Sequence, residues 1–401
     1  MIKYDLALRK LLTRARPLNA ELTPVLKSLG RVLREDICSP MSIPPFNKSA
    51  MDGYAVRSAD ISSATPQSPV ELKVTEDIPA GSVGKKRMKK GAAARIMTGA
   101  PLPVGADAVV MVEDTEKADG CVRIMKAVEK GENIAYAGED VRKGQRILHA
   151  GTLIGPAEMG MIAATGRDKV KVGIKPKVAV ISTGDEVATP GMKLKRGQIF
   201  DANGYSLTGL AVYRGAEARF LGIARDRSGA LVVKIKQARK FDILILSGGV
   251  SVGDYDLVQE ILTEAGVKML FWKVAIKPGM PTYAGVHKPG FVLALPGNPV
   301  SCMVCFELFV RPLLDVMLGK QEIGPRRGRA ILMQDARMKP TRRKFLRGRL
   351  IEKGSRLYVK SASSQQSGVL RSMIESDVLI DIPENIEKVP AGSEVDIIYL
   401  E

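Results

Sequence analysis

Residues 243–258 read ILILSGGVSVGDYDLV: an apolar run, then a loop carrying Ser247, Gly248, Gly249, Ser251 and Gly253, then Asp254 and Asp256. Glycine amides suit an anion, whereas carboxylates repel one unless a cation lies between them. The spacing of Gly248 and Gly253 matches the opening of a phosphate-cradling P-loop. Asp254 and Tyr255, however, stand where that motif needs Lys followed by Ser or Thr. The loop therefore points to phosphate plus metal rather than to an ordinary ATP site.

Two other stretches end apolar runs in the same way. STGDEV supplies Ser182, Thr183, Gly184, Asp185 and Glu186; alone it reads as a capped loop, since Ser, Thr and Asp commonly cap helices. LPGNPVS supplies Pro296, Gly297, Asn298 and Pro299. There Asn298 can cap the next helix, with Pro299 in its first turn, and the helix start also offers free amides to an anion. FWKVAIKPGMP reads as a strand whose Lys273 and Lys277 share one face. Two such lysines are ordinarily a solvated face, but beside carboxylates and an anion loop they suit phosphate or an oxyanion. PPFNKSAMDGYAVR and ARIMTGAPLPVGADAVV read as structured connectors, with a turn at Asp52-Gly53 and Thr98 as the reactive-looking group of the second. Cys302 and Cys305 have metal-ligand spacing but form a lone pair in an apolar helix, so they read as core thiols. With only two histidines in the chain, any metal is expected to be a hard cation on carboxylates, Mg²⁺ first.

The elements that must position these groups follow from the pattern between them. From 177 to 318, apolar runs ending at glycine turns alternate with helical segments, GLAVYRGAEA, ALVVKIKQARK and LVQEILTEAG. That alternation predicts βαβ units and a parallel sheet, whose carboxyl edge would gather all three loops. Residues 2–16 and AELTPVLKSLGRVL read as helices, as does GTLIGPAEMGMIAATG; short runs between turns from 69 to 149, and again from about 319, read as small β domains.

A chain of 401 residues exceeds one ordinary core. It lacks the pattern of a signal peptide or of a membrane span, so a cytoplasmic protein is expected. The net charge of +18 invites a nucleic-acid reading, but the charge is dispersed, only 5% of residues are aromatic and no nucleic-acid motif appears. A basic surface attracts small anions equally well.

In order, NKSAMDGYAV, MTGAPLP, GEDV, STGDE, SGGVSVGDYD, FWKVAIKPGMP and LPGNPVS resemble the MoeA family of molybdopterin molybdenumtransferases, related to the E domain of gephyrin. The resemblance covers nearly the whole chain. It implies a multidomain α/β plus β fold: a split helical dimerisation domain (1–42 and 142–174), an inserted β domain (43–141), an α/β molybdopterin-binding domain with a parallel sheet (175–318) and a C-terminal β domain (319–401). It implies a homodimer with a cleft shared between subunits, and a molybdopterin adenylyltransferase as a partner. The implied reaction takes adenylylated molybdopterin and molybdate, or tungstate, with Mg²⁺, and releases AMP and molybdenum cofactor.

Carried onto this chain, the family's functional positions fall on Asp52, Thr98, Asp140, Glu186, Asp226, Lys273 and Lys277, with Pro296 and Pro299 framing the PGNP turn. Arg347 and Ser367 match a basic position and a serine of the C-terminal domain. Asp254, Asp256 and Glu186 are the expected Mg²⁺ ligands, and Lys273, Lys277 and Arg347 the expected neutralisers of phosphate or molybdate. Here the order after SVG is Asp-Tyr-Asp, whereas some relatives have an acidic residue, a spacer and then Asp-Tyr; either aspartate can thus be the main ligand. An adenylyltransferase would share the α/β domain but not SAMDGYAV and MTGAP. A gephyrin-like scaffold would need a linker or fused partner domain, which the sequence does not show.

Overall fold

The computed structural model describes residues 1–225, 228–249, 255–287 and 290–400, with the side chains of residues 228, 230 and 255–259 outside the description. At its centre is a six-stranded sheet. Four strands run parallel in the order Glu217–Ala224, Lys177–Thr183, Ile243–Ser247, Phe291–Leu295. Tyr283–Val286 and Lys268–Trp272 extend the sheet antiparallel. The parallel sheet expected from the βαβ rhythm is therefore present, with an antiparallel edge. Ile243–Ser247 is buried throughout, as is Phe291–Leu295, which is why both read as continuous apolar runs rather than as alternation. One core of Val178, Val180, Ile245, Leu293 and the helices 299–318 fills one face; a second core, around Ala179, Ile181, Leu244 and Leu246, fills the other.

Residues 53–124 hold a second six-stranded sheet with a core on each face. Beyond 326, Arg343–Lys353, Arg356–Ser361, Arg327–Leu332, Glu394–Tyr399 and Val378–Ile382 pair in a ring that closes where 378–382 returns to 343–353. Closure leaves this five-stranded barrel without a free edge in the ring. Ile276–Lys277 adds to its outside, alongside Arg343 and Lys344. A smaller core joins the first residues to the middle of the chain: Ala20–Pro24 pairs with Lys169–Gly173, Ile37–Cys38 with Arg146–Leu148, and helix Pro156–Ala164 packs over them.

Three local expectations are corrected. AELTPVLKSLGRVL forms the strand Ala20–Pro24 and a short 3-10 turn, Val25–Lys27, not a helix. Pro24 cannot donate within a helix, and the strand's partner lies far along the chain, beyond the reach of local periodicity. GLAVYRGAEA splits at Gly215, whose φ of +92° ends the helix Asn203–Tyr213 before the strand from Glu217. The helix Tyr4–Leu12 forms as expected, but Tyr4, Ala7 and Leu11 are buried in the central α/β core rather than with the rest of residues 1–42. Among the described residues no helix is long and apolar enough to cross a membrane.

Candidate functional site

Parallel registration aligns the three loops. Ser182 lies opposite Ser247, and Ser247 opposite Leu295, so STGDE, SGG and PGNP leave the sheet at one level. Between them opens a cleft of about 460 Å³, whose walls include Thr183, Glu186, Asp201, Gly248, Gly297 and Asn298. Gly248 has φ +92°, and a Cβ there would stand 2.8 Å from Thr183 Oγ1 and 2.9 Å from Thr183 O. The backbone can thus approach a ligand at this turn only because no side chain intervenes. Gly248 N donates to Leu295 O at 3.1 Å, and Thr183 Oγ1 to Ser247 O at 3.2 Å, which ties the three loops to one another. Glu186 is exposed in the same cleft. Asn298 occupies the position before helix Pro299–Cys305, but its side chain makes no capping hydrogen bond, contrary to expectation.

Around Val187 the chain leaves the sheet edge and returns as Ile199–Phe200, pairing with Val187–Ala188. That ribbon delivers Asp201 and Asn203 to the cleft wall. Neither was singled out in the sequence, where FDANGY looks like a helix start. Only the folded ribbon shows that they face the same space as the glycine turn.

A second cleft, of about 600 Å³, lies at the seam between the α/β unit and the barrel and includes Lys277, Ser301, Arg342, Gln365, Gln366 and Ser367. Pro281 lines both clefts. Val300 N donates to Ser367 O at 3.1 Å, pinning the barrel loop to the start of the helix after PGNP. Positive charge is concentrated here. Burial, then the charges of Lys277 and Arg342, hold the Lys344 ammonium below the ordinary lysine value. Arg347 is only 1% exposed. Its guanidinium donates to Ser364 O at 3.1 Å, Gln366 O at 3.2 Å and Ser372 Oγ at 3.3 Å. Burial pushes it down to about 10, and among the described residues no carboxylate pairs with it. Arg347 thus braces the loop behind the cleft, while Arg342, which the sequence pattern did not mark out, lines the opening.

The strand expected to present Lys273 and Lys277 together is interrupted. Extended pairing stops at Trp272; Lys273 takes φ +57° and lays its Nζ 3.8 Å from the Trp272 ring centroid. Ile2 bonds to Lys273 O and receives Ala275 N, so the chain's first residues wedge into the run. Only Lys277 reaches a described cleft. Asp52 and Thr98 do meet: Thr98 N and Oγ1 donate to Asp52 Oδ1 at 2.7 and 2.8 Å. Those two bonds, the backbone one first, hold the Asp52 carboxyl below the ordinary aspartate value. Asp52, Thr98 and the exposed Asp140 line neither cleft within one chain. Asp226, Ser251, Gly253 and Asp254 lie outside the described residues; Asp256 lies in helix Tyr255–Glu264, with its side chain outside the description.

The glycine turns of this α/β unit open a cleft at the carboxyl edge of its parallel sheet, where such folds bind their ligands. Residues 179–316 match the profile of a probable molybdopterin binding domain. Residues 2–166 match the MoeA N-terminal region (domain I and II), and 329–400 the MoeA C-terminal region (domain IV). The chain belongs to the MoeA family. It is 37% identical to molybdopterin molybdenumtransferase 2 of Mycobacterium tuberculosis, over 98% of each chain. It is 36% identical to a molybdopterin molybdenumtransferase of Staphylococcus aureus, over 94% of this chain and 90% of that one. Two structures of a molybdopterin biosynthesis MoeA protein from Pyrococcus horikoshii superpose with TM-scores of 0.84 at 37% and 33% identity, covering all of this chain and 99% and 100% of theirs.

Proposed function

We infer that this chain inserts molybdenum in cofactor biosynthesis, as the names of its relatives state, using adenylylated molybdopterin and an oxyanion as substrates. The observation that carries the reading is the pair of joined clefts: a glycine-cradled one at the sheet edge and a cationic one at the barrel seam. The first suits the phosphate-bearing conjugate. The second suits molybdate or tungstate, because Lys277 and Arg342 line it and lack an anionic neighbour among the described ion pairs, while Arg347 braces the loop behind them. Cleavage of the phosphoanhydride leaves AMP, with an oxygen from molybdate or water ending on its phosphorus, while the two dithiolene sulfurs replace two oxygens on molybdenum, which leave as water with the thiol protons unless one has passed to the phosphorus.

Mg²⁺ fits the donor set in one respect. It is usually held by one or two carboxylates and substrate phosphates, and Glu186 offers an exposed carboxylate in the cleft. Asp254 and Asp256 are the other proposed ligands; when bound, the ion would neutralise charge on the pyrophosphate. In the same reading, residues 1–42 with 142–174, 43–141, 175–318 and 319–401 are the four domains. Residues 43–141 have cores of their own, whereas the helix Tyr4–Leu12 and the barrel's Phe345, Leu379 and Ile398 pack into the α/β core. Asp52, Thr98 and Asp140 are proposed to serve the cleft of a second subunit. Lys273, which lines neither cleft, and Asp226, which lies outside the described residues, are kept as proposed catalytic residues, and an adenylyltransferase is the supplier of substrate in the cytoplasm.

The test is AMP release from adenylylated molybdopterin, with and without Mg²⁺, in the presence of molybdate, tungstate or neither. Oxyanion-dependent release is expected. Conversion of ATP and molybdopterin into the adenylylated form, without AMP release, would make the chain an adenylyltransferase instead.

A further inference from the structure

The strand Arg343–Lys353 carries two buried cations, Lys344 and Arg347, and neither has a carboxylate partner among the described ion pairs. Each bonds instead to backbone carbonyls of a segment that reaches the seam cleft. Arg347 donates to Ser364 O and Gln366 O, bracing the loop that brings Gln365, Gln366 and Ser367 to the lining. Lys344, 4% exposed, donates through Nζ to Lys339 O and, at 3.2 Å, to Arg342 O, and Arg342 lines the same cleft. Carboxylates on the neighbouring elements are taken: Arg343 holds Asp381 through two bonds of 2.7 Å and Asp5 at 3.1 Å, and Asp381 also accepts from Arg327.

A buried ammonium with only neutral acceptors is costly. Lys344 also lies beside Lys277 in the parallel pairing of 276–277 with 343–344, and burial, then the charges of Lys277 and Arg342, lower its pKa. An apolar side chain would fill the same place without that cost, so the lysine is explained by what it holds. Between Lys339 and Arg342 the chain turns through Pro340, which has no N–H to give, and the backbone bond described within the turn runs from Thr341 N to Lys339 O at 2.9 Å. The ammonium joins the carbonyls at the two ends of that turn. Just beyond it, Arg343 N donates to Ala275 O at 3.1 Å, which sets the strand beside the segment carrying Lys277.

We propose that Lys344 is a positioning residue for the oxyanion: its ammonium ties the 339–342 turn so that Arg342 is held in the lining of the seam cleft with Lys277. This rests on the function inferred above. Lys344 is a wall of neither cleft, so it acts through Arg342 and not by touching the ligand. Two cations held in place can meet a doubly charged tetrahedral oxyanion without the ordering that a loose turn would require on binding. None of the residues in this tie lines the sheet-edge cleft, so its loss is expected to single out the oxyanion.

AMP release from adenylylated molybdopterin by the full-length protein is followed across a molybdate series, and molybdopterin affinity is titrated separately by calorimetry. Lys344→Met fills much the same space and removes both bonds. It is expected to raise the KM for molybdate roughly tenfold, the scale of one charged hydrogen bond, with kcat and molybdopterin affinity within about twofold of wild type. Arg342→Ala should raise the same KM at least as much, and adding Lys344→Met to it should cost no more than about a further twofold, because the tie then has nothing to position. Pro340→Gly loosens the turn without touching the buried lysine and should raise the KM by roughly two- to fivefold. A molybdate KM unchanged in Lys344→Met, or in Pro340→Gly where the former does not fold, would overturn the assignment. So would equal losses for molybdate and molybdopterin, the mark of a brace for the barrel alone, or losses that multiply in the double variant. A wild-type protein that releases no AMP with either oxyanion would overturn the inferred function itself.

Discussion

The two clefts meet at Pro281 and differ in charge. The sheet-edge cleft presents glycine backbone and an exposed carboxylate, Glu186. The seam cleft presents cations: Lys277, Arg342 and Lys344 repel one another, and Arg347 is buried behind them without a carboxylate. In the proposed reaction the first would take the adenylylated conjugate and the second the oxyanion. Two adjoining sites that differ in charge suit a reaction between an organic conjugate and a metal oxyanion.

The sharpest break should come at Gly248. Gly248→Ala places a side chain in a left-handed backbone against Thr183, a strain of about 1–3 kcal/mol, and displaces the turn facing the conjugate. Turnover of adenylylated molybdopterin is expected to fall roughly hundredfold, with molybdate affinity little changed in a titration. Next is Lys277→Ala, which removes a charge from the seam: the KM for molybdate should rise roughly tenfold or more while affinity for AMP holds. Arg347→Lys is expected to cost about 1–3 kcal/mol, since an ammonium cannot reproduce a fork to Ser364, Gln366 and Ser372, read as a Tm lowered by a few degrees. A KM for molybdate that stayed at its wild-type value in Arg347→Lys would show that the braced loop does not serve the seam cleft.

The smallest effect lies outside both clefts. Asp52 is held below the ordinary aspartate value by Thr98, so this pairing favours the folded state above the ordinary aspartate range and loses that effect as pH falls through the lowered value. Thr98→Val keeps the backbone bond and loses the hydroxyl, which should raise the Asp52 value. Its effect on the unfolding midpoint should be visible near neutral pH and fade in acid; a difference that grew in acid would contradict the pairing.

What was legible in the sequence follows the same division. Buried parallel strands are continuous apolar runs, so KVAVIST, ILILS and FVLAL, and the loops they end in, could be placed at one edge from the residue pattern alone. The seam cleft was hidden because it is assembled by contacts between distant segments: Lys277 joins the barrel through Arg343 and Lys344, and Ser367 reaches Val300. Periodicity cannot show such pairings, nor that the chain's first residues would interrupt the run between Lys273 and Lys277. In TRRKFLRG the sequence marked Arg347 and not Arg342, yet Arg342 lines the cleft while the buried Arg347 braces the loop behind it.

The measurement that bears most directly on the division of labour is a crossed titration of Lys277→Ala and Gly248→Ala with molybdate and with molybdopterin. Lys277→Ala should weaken molybdate and spare molybdopterin, and Gly248→Ala should do the reverse. Parallel losses of both ligands in both variants would contradict two separate clefts and require a single shared site.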